Sequence, residues 1–168
     1  DKRKLEVLVD LEPSLKRSRL FSFKDFQSNK EHITDFIQNA HNYNLTVSTV
    51  EKSYVSERLL KYWGLSFNPA EFGNRKIKMY YSSYRRRFLP DVVVDKLYGQ
   101  KVQEYAEQGV NVGLGLIALG IHNETHCLSP EILQREIEIA FNYGIEEVII
   151  FRLEGLDEEY ISTLNKFS

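Results

Sequence analysis

Several features that would assign a protein to a class at once are scarce in this sequence. Its 168 residues include a single cysteine, Cys127, which excludes an internal disulfide framework. With 22 basic and 24 acidic residues the net charge is -2, so composition gives no reason to expect nucleic-acid binding. The longest apolar run, residues 110–121, is shorter than the roughly 20 residues of a membrane-spanning helix, and we expect no membrane span.

Motifs for metals and cofactors are also scarce. His122, His126 and Cys127 lie together in "HNETHC", but their spacing matches no zinc motif, and a solvated loop is the favoured interpretation. Residues 113–118 fit the dinucleotide fingerprint G-x-G-x-x-A. Their glycines, however, lie inside an apolar strand pattern, and the next helix signal comes only at Ser129. The sequence therefore predicts neither a metal site nor a cofactor.

What the sequence does contain is a regular alternation of strand-like and helix-like segments. Apolar runs with β-branched residues predict strands at 5–11, 45–50, 76–81, 110–119 and 147–153, and segments with helical spacing follow them. The hydrophobic content of 42% is enough for one core, so we expect a single α/β domain over residues 1–168. Strands separated by helices predict a parallel sheet with its ligand site at the carboxyl ends of the strands.

Local signals predict where the helices begin and end. "SNKE", residues 28–31, has the pattern of a capping box, and the second helix is predicted to end at Gly64. A third helix is predicted to run from Pro90 to Gly109, and a fourth from an N-cap at Ser129 to Gly144. A last helix follows Asp157. Residues 13–27 form an unusually long predicted loop, which would border a ligand cleft.

The stretch "VLVDLEPS", residues 7–14, ends a strand with two carboxylates. Residues two apart on a strand project from the same face, so Asp10 and Glu12 would point together from the strand end. One interpretation is a hydrated strand end whose acids pair with Lys16, Arg17 or Arg19. The other is an acid pair that performs chemistry.

The strongest local positive charge is "YRRRF", residues 84–88. Arg85, Arg86 and Arg87 there could form a clamp for phosphate, carboxylate or an acidic glycan, and the alternative is a solvated loop. The neighbouring aromatic side chains suit sugars as well as bases, and without an overall basic balance carbohydrate ranks first. Arg152 and Glu154 are predicted either to pair with each other or to border the site.

In order along the chain, "VLVDLEPS", "LTVSTV", "IKMYYSSY", "VNVGLGLIALG" and "EEVIIFRLEGL" resemble the fourth to eighth strands of the chitinase-like glycoside hydrolases of family eighteen, which are (βα)8 barrels. The resemblance covers nearly the whole chain. Of the family's D-x-x-D-x-D-x-E motif the sequence keeps Asp10 and Glu12, with Leu5 and Leu8 at the earlier acidic places. Tyr81 matches the M-x-Y-D motif, with Ser82 in place of its aspartate.

The resemblance implies a glycoside hydrolase-like, carbohydrate-active domain that hydrolyses or only binds N-acetylated glycans. Glu12 would be the general acid, while Asp10 and Tyr81 would support the substrate's acetamido group. Two other functions stay open. One is a non-catalytic binding or assembly module, favoured by Leu5, Leu8 and Ser82, and the other is a phosphosugar enzyme that uses Arg85–Arg87.

The resemblance also implies that the chain is the C-terminal part of a larger barrel, an incomplete TIM-type barrel without its first three strands. The structural alternative is a five-stranded, doubly wound open sheet. In a partial barrel, strands 5–11 and 147–153 are both edges and would need a partner chain, a second copy or a missing N-terminal segment. Because the chain begins with Asp1, we expect a processed or truncated protein. Sequons at Asn44 and Asn123 are compatible with secretion but leave the location open.

Overall fold

A computed structural model describes residues 5–11, 23–43, 45–52, 56–67, 75–115, 117–118 and 127–167. The strands are β1 (Leu5–Leu11), β2 (Leu45–Lys52), β3 (Arg75–Tyr80), β4 (Asn111–Gly115) and β5 (Val148–Phe151). The α-helices are α1 (Phe23–Asn39), α2 (Glu57–Trp63), α3 (Ser82–Arg86), α4 (Asp91–Glu107), α5 (Pro130–Asn142) and α6 (Glu158–Leu164). Short 3-10 helices cover Ala40–Tyr43, Leu153–Gly155 and Asn165–Phe167. The predicted α/β class is confirmed.

The strands belong to one sheet in the order β1-β2-β3-β4-β5. The β1–β2 pair is parallel, with Leu5 opposite Leu45, and so is the β4–β5 pair, with Val112 opposite Val148. A doubly wound sheet reverses its strand order at a switch point, and this sequential order contains no reversal. It is the order of consecutive strands in a (βα)8 barrel, as the partial-barrel prediction requires. Among the described strands, β1 and β5 are the two ends of the order.

The chain packs as two compact units, Asp1–Lys78 and Met79–Ser168. The core of the first unit is small and joins α1, β2 and the segment after α2 through Ile37, Ala40, Val47 and Phe67. The core of the second unit is larger, because helices α4 and α5 each bury one face in it. Among the helices that the structure describes, we find none with the length and apolar character needed to cross a membrane.

Local signals placed several helix ends correctly. Gly64 follows α2 with a left-handed φ of 69°, and Ser129 caps α5 by accepting a hydrogen bond from the Ile132 backbone N–H at 3.4 Å. Asp157 likewise caps α6 by accepting from two backbone N–H groups of its first turn. These predictions are confirmed.

Three boundary predictions are wrong. The strand predicted over residues 110–119 is β4, which ends at Gly115. Helix α1 begins at Phe23, so residues 28–31 lie inside the helix, where a backbone N–H already has an intrahelical acceptor and needs no capping box. Residues 23–27 of the predicted long loop are therefore helical, and residues 13–22 lie outside the described part of the chain. The last strand ends at Phe151, two residues early, because the 3-10 helix Leu153–Gly155 follows it.

Candidate functional site

Asp10 lies near the carboxyl end of β1 on the exposed side of the strand. Glu6 and Asp10 are both exposed, whereas Val9, on the opposite side, packs against the core of the first unit. Ser48 on β2 donates a hydrogen bond to Glu6 Oε1 at 2.7 Å, and the same face of β1 also carries Leu8, which is 53% exposed. Glu12, the second residue of the predicted acid pair, comes directly after β1 and lies outside the described residues.

Tyr81 immediately follows β3 and packs beside the carboxyl end of β4. Its ring makes an edge-to-face contact with Tyr84, with centroids 6.1 Å apart and planes at 82°. A Cβ added to Gly115 would lie 3.0 Å from Tyr81 Cε1, so the glycine allows the ring to approach the end of β4. Tyr81 is half-buried and Tyr84 is 45% exposed. We call Tyr81 and Tyr84 the aromatic pair.

Arg86, the middle residue of the basic run, is almost completely buried in the second unit. Its guanidinium lies 2.6 Å from Glu136 Oε1 and 2.5 Å from Asp95 Oδ1, and its Nη1 lies 3.0 Å from Asp91 Oδ1. Burial opposes the charge of Arg86, but the hydrogen bonds to Glu136 and Asp95 outweigh burial and raise the pKa of Arg86. The guanidinium therefore joins α3 to α4 and α5, and it is engaged by carboxylates of its own chain.

Arg85 and Arg87 are exposed on either side of that buried arginine. The guanidinium carbon of Arg85 lies 5.3 Å from the centre of the Tyr80 ring, and that of Arg87 lies 5.4 Å from the centre of the Phe88 ring. Within the described residues neither arginine forms an ion pair. The three arginines of the predicted clamp are thus not brought together, and an anion could meet only the outer two.

Arg152 and Glu154 form an ion pair with each other. This is the first of the two arrangements predicted for them. Both residues lie beyond the end of β5, and Glu154 is in the following 3-10 helix, so neither belongs to the strand that was predicted to extend to residue 153.

The first unit contains a buried charge cluster that was not predicted from the sequence. Glu51 of β2 is fully buried, and its carboxylate oxygens lie 3.1 Å from Lys76 Nζ and 2.5 Å from Lys78 Nζ of β3. Lys76 also donates to Ser66 Oγ at 3.0 Å and to the Phe67 carbonyl at 3.2 Å. The visible signal was "KIKM", where lysines alternate inside an otherwise apolar strand.

Burial makes this cluster electrostatically unusual. Burial lowers the pKa of Lys76, the nearby charge of Lys78 lowers it further, and attraction to Glu51 opposes both effects. Because both ammonium groups and the carboxylate are enclosed and engaged with one another, we interpret the cluster as a structural ion-pair network.

Within the described stretches of the chain, no three potential metal ligands of the His, Cys, Asp and Glu type come together. Cys127 is exposed, and the remainder of "HNETHC" lies outside those stretches.

No protein-family model matches this chain, and no curated protein is similar enough to match it.

Proposed function

We propose that this chain is a glycoside hydrolase-like, carbohydrate-active domain that binds N-acetylated glycans at the carboxyl ends of its strands. The observation that carries the proposal is the aromatic pair, which follows β3 and in which Tyr81 packs against the end of β4. Parallel α/β folds bind their ligands at this end of the strands. Tyrosine rings offer flat apolar faces for sugar rings, and their hydroxyl groups can donate to sugar oxygens.

In this proposal Asp10 and Glu12 provide the acid chemistry. Glu12 donates its proton to the glycosidic oxygen of the leaving group, and the acetamido carbonyl oxygen of the substrate attacks the anomeric carbon as that bond breaks. The enzyme then needs no nucleophile of its own. Asp10 stabilises the charge that develops on the acetamido group. The exposure of Asp10 near the carboxyl end of β1 supports this role.

Titration calorimetry with chito-oligosaccharides tests the binding site. Tyr84→Ala should weaken binding by about 2- to 10-fold, because an aromatic contact contributes about 0.5–1.5 kcal/mol beyond the area that it buries. Tyr43→Ala is the matched control, since Tyr43 is 73% exposed and comes just before the amino end of β2, whereas the proposed site is at the carboxyl ends of the strands. Absence of binding, or equal losses in both variants, would remove the aromatic pair from this role.

Turnover of the same oligosaccharides separates cleavage from binding alone. Glu12→Gln should lower turnover by about 10²- to 10⁴-fold, as expected for a lost general acid, and leave binding nearly unchanged. Unchanged turnover would remove Glu12 from catalysis. Binding by the wild type without any turnover would instead favour the non-catalytic module. One observation supports this second candidate: Ser82, at the aspartate position of the resembled M-x-Y-D motif, is completely buried.

A further inference from the structure

The three most exposed large hydrophobic side chains among the described residues all belong to the second unit. Val92 is 80% exposed, Leu153 is 79% exposed and Phe88 is 78% exposed. Single exposed apolar residues are ordinary, but apolar residues grouped with uncompensated charge indicate an interaction surface. The charges around these three residues have opposite signs.

Phe88 and Val92 belong to a patch whose unpaired charges are positive, because the one carboxylate in the segment, Asp91, is paired with Arg86 and Arg135. It extends from the end of α3 to the first turn of α4 and consists of Arg85, Arg87, Phe88, Leu89, Val92 and Val93, which we call the basic patch. The backbone N–H groups of Phe88 and Leu89 both donate to the Arg85 carbonyl at 3.0 Å. The ion pair between the buried Arg86 and Glu136 of α5 also anchors the segment. The patch is therefore held in a defined conformation.

Leu153 belongs to a patch that is negatively charged. It consists of Leu153 in its 3-10 helix and Glu158, Glu159 and Ile161 in α6, which we call the acidic patch. Both glutamates are exposed and form no ion pair within the part of the chain that the structure describes. Ile161 is also exposed, so apolar and acidic side chains again occur together.

We propose that the basic patch of one copy of this chain docks onto the acidic patch of a second copy. The charges are complementary, since two arginines would meet two glutamates, and each patch adds apolar side chains to be buried between them. The other described arginines of the second unit support the assignment. Arg86, Arg135 and Arg152 each pair with a carboxylate of the same chain, and only Arg85 and Arg87 lack such a partner among the described residues.

The geometry of the contact determines the kind of assembly. Two different patches meet, so the interface is heterologous, and each added copy leaves one patch of each kind available. Association should then continue beyond a dimer as the concentration rises. The two patches comprise six and four residues, compared with the roughly 20–30 residues a side of a stable interface, so we expect weak association with a Kd between about 10 μM and 1 mM. This inference is independent of the proposed glycan site.

Sedimentation velocity across that concentration range tests the proposal. The average sedimentation coefficient of the wild type should rise with concentration, and it should fall towards that of a monomer in about 1 M salt, where charges are screened over about 3 Å. Two charge-reversal variants should each lose at least about tenfold in self-association. One carries Arg85→Glu and Arg87→Glu, and the other carries Glu158→Arg and Glu159→Arg.

Mixing the two reversal variants gives the decisive result. In the mixture each patch again finds one of opposite charge, so association should return, although neither variant associates alone. The control variant carries Lys101→Glu and Glu104→Lys, which reverses an exposed pair on α4 and should associate like the wild type. A wild type that remains monomeric, reversal variants that still associate, or a mixture that does not recover would each overturn the proposal. Circular dichroism verifies that each variant is folded. Leu153→Ser tests the apolar part of the contact without altering charge, and it should also weaken association.

Discussion

Replacing the buried Glu51 with glutamine should destabilise the first unit by several kcal/mol. The carboxylate is fully buried and contacts Lys76 and Lys78, which are themselves almost completely buried. Glutamine preserves the size of the side chain but leaves two enclosed ammonium groups without a buried negative charge. Removing one partner of a buried ion pair costs about 3–5 kcal/mol, and because two lysines depend on this carboxylate we expect a loss near the upper end of that range.

The loss of stability caused by Glu51→Gln should also depend on pH. In the folded protein, burial holds the pKa of Lys76 below its ordinary value of 10.5, and attraction to Glu51 limits that decrease. Between the folded and unfolded pKa values the unfolded chain binds more protons, so stability rises with pH in that window. Glu51→Gln removes the attraction and lowers the folded pKa of Lys76 further, so the variant should begin to regain stability at a lower pH than the wild type. The difference in unfolding free energy between the wild type and Glu51→Gln should therefore become smaller as the solution becomes alkaline.

Urea unfolding, followed by circular dichroism at neutral and at alkaline pH, measures both effects. The control is Glu57→Gln, because Glu57 is half-exposed and lies 3.6 Å from Lys76 and 3.1 Å from Lys61. An exposed pair of this kind contributes at most about 1 kcal/mol. A Glu51→Gln variant no less stable than Glu57→Gln, or a deficit that grows with pH, would refute the interpretation of this cluster as an interdependent network.

Two further predictions concern backbone space and the second buried charge. Gly64→Ala should cost at least about 2 kcal/mol, because φ there is 69° and the new Cβ would lie 2.3 Å from Lys30 Cβ of α1. Gly144→Ala, with φ of 87° and no atom within 4 Å, should cost only about 1–2 kcal/mol, and equal losses in urea unfolding would contradict this argument. Arg86→Leu should lower the free energy of unfolding by about 3–5 kcal/mol, because it leaves Glu136 buried without its cation. Arg85→Leu, the control, should change that free energy little. Similar losses in the two variants would contradict the conclusion that, of these two arginines, only Arg86 forms a buried ion pair.

The fold was predictable where its signals are local. A left-handed glycine such as Gly64 and a capping serine such as Ser129 act within one turn of chain, so the sequence alone locates the ends of α2 and α5. The start of α1 was not predictable from the capping-box pattern at residues 28–31. That pattern is equally compatible with a helix interior, where serine and glutamate occupy exposed positions.

The candidate site was predictable only in part, because charge partners far apart in sequence are set by packing. "YRRRF" shows three equivalent arginines, and only the fold distinguishes Arg86, whose partner Glu136 is 50 residues away. The same holds for the alternating lysines of β3: their partner Glu51 lies on another strand, and nothing near the lysines in sequence identifies it.

The distinction between enclosed and exposed charge also determines where function can be located. A perturbed pKa often indicates a functional site, and Lys76 satisfies that criterion. Chemistry on a substrate, however, also requires access, and Lys76 is enclosed among partners of its own chain. Asp10, Tyr84 and Arg85 are exposed, so a ligand or a second chain can contact them. Buried charge here stabilises the two units, and recognition must depend on side chains that the packing leaves at the surface.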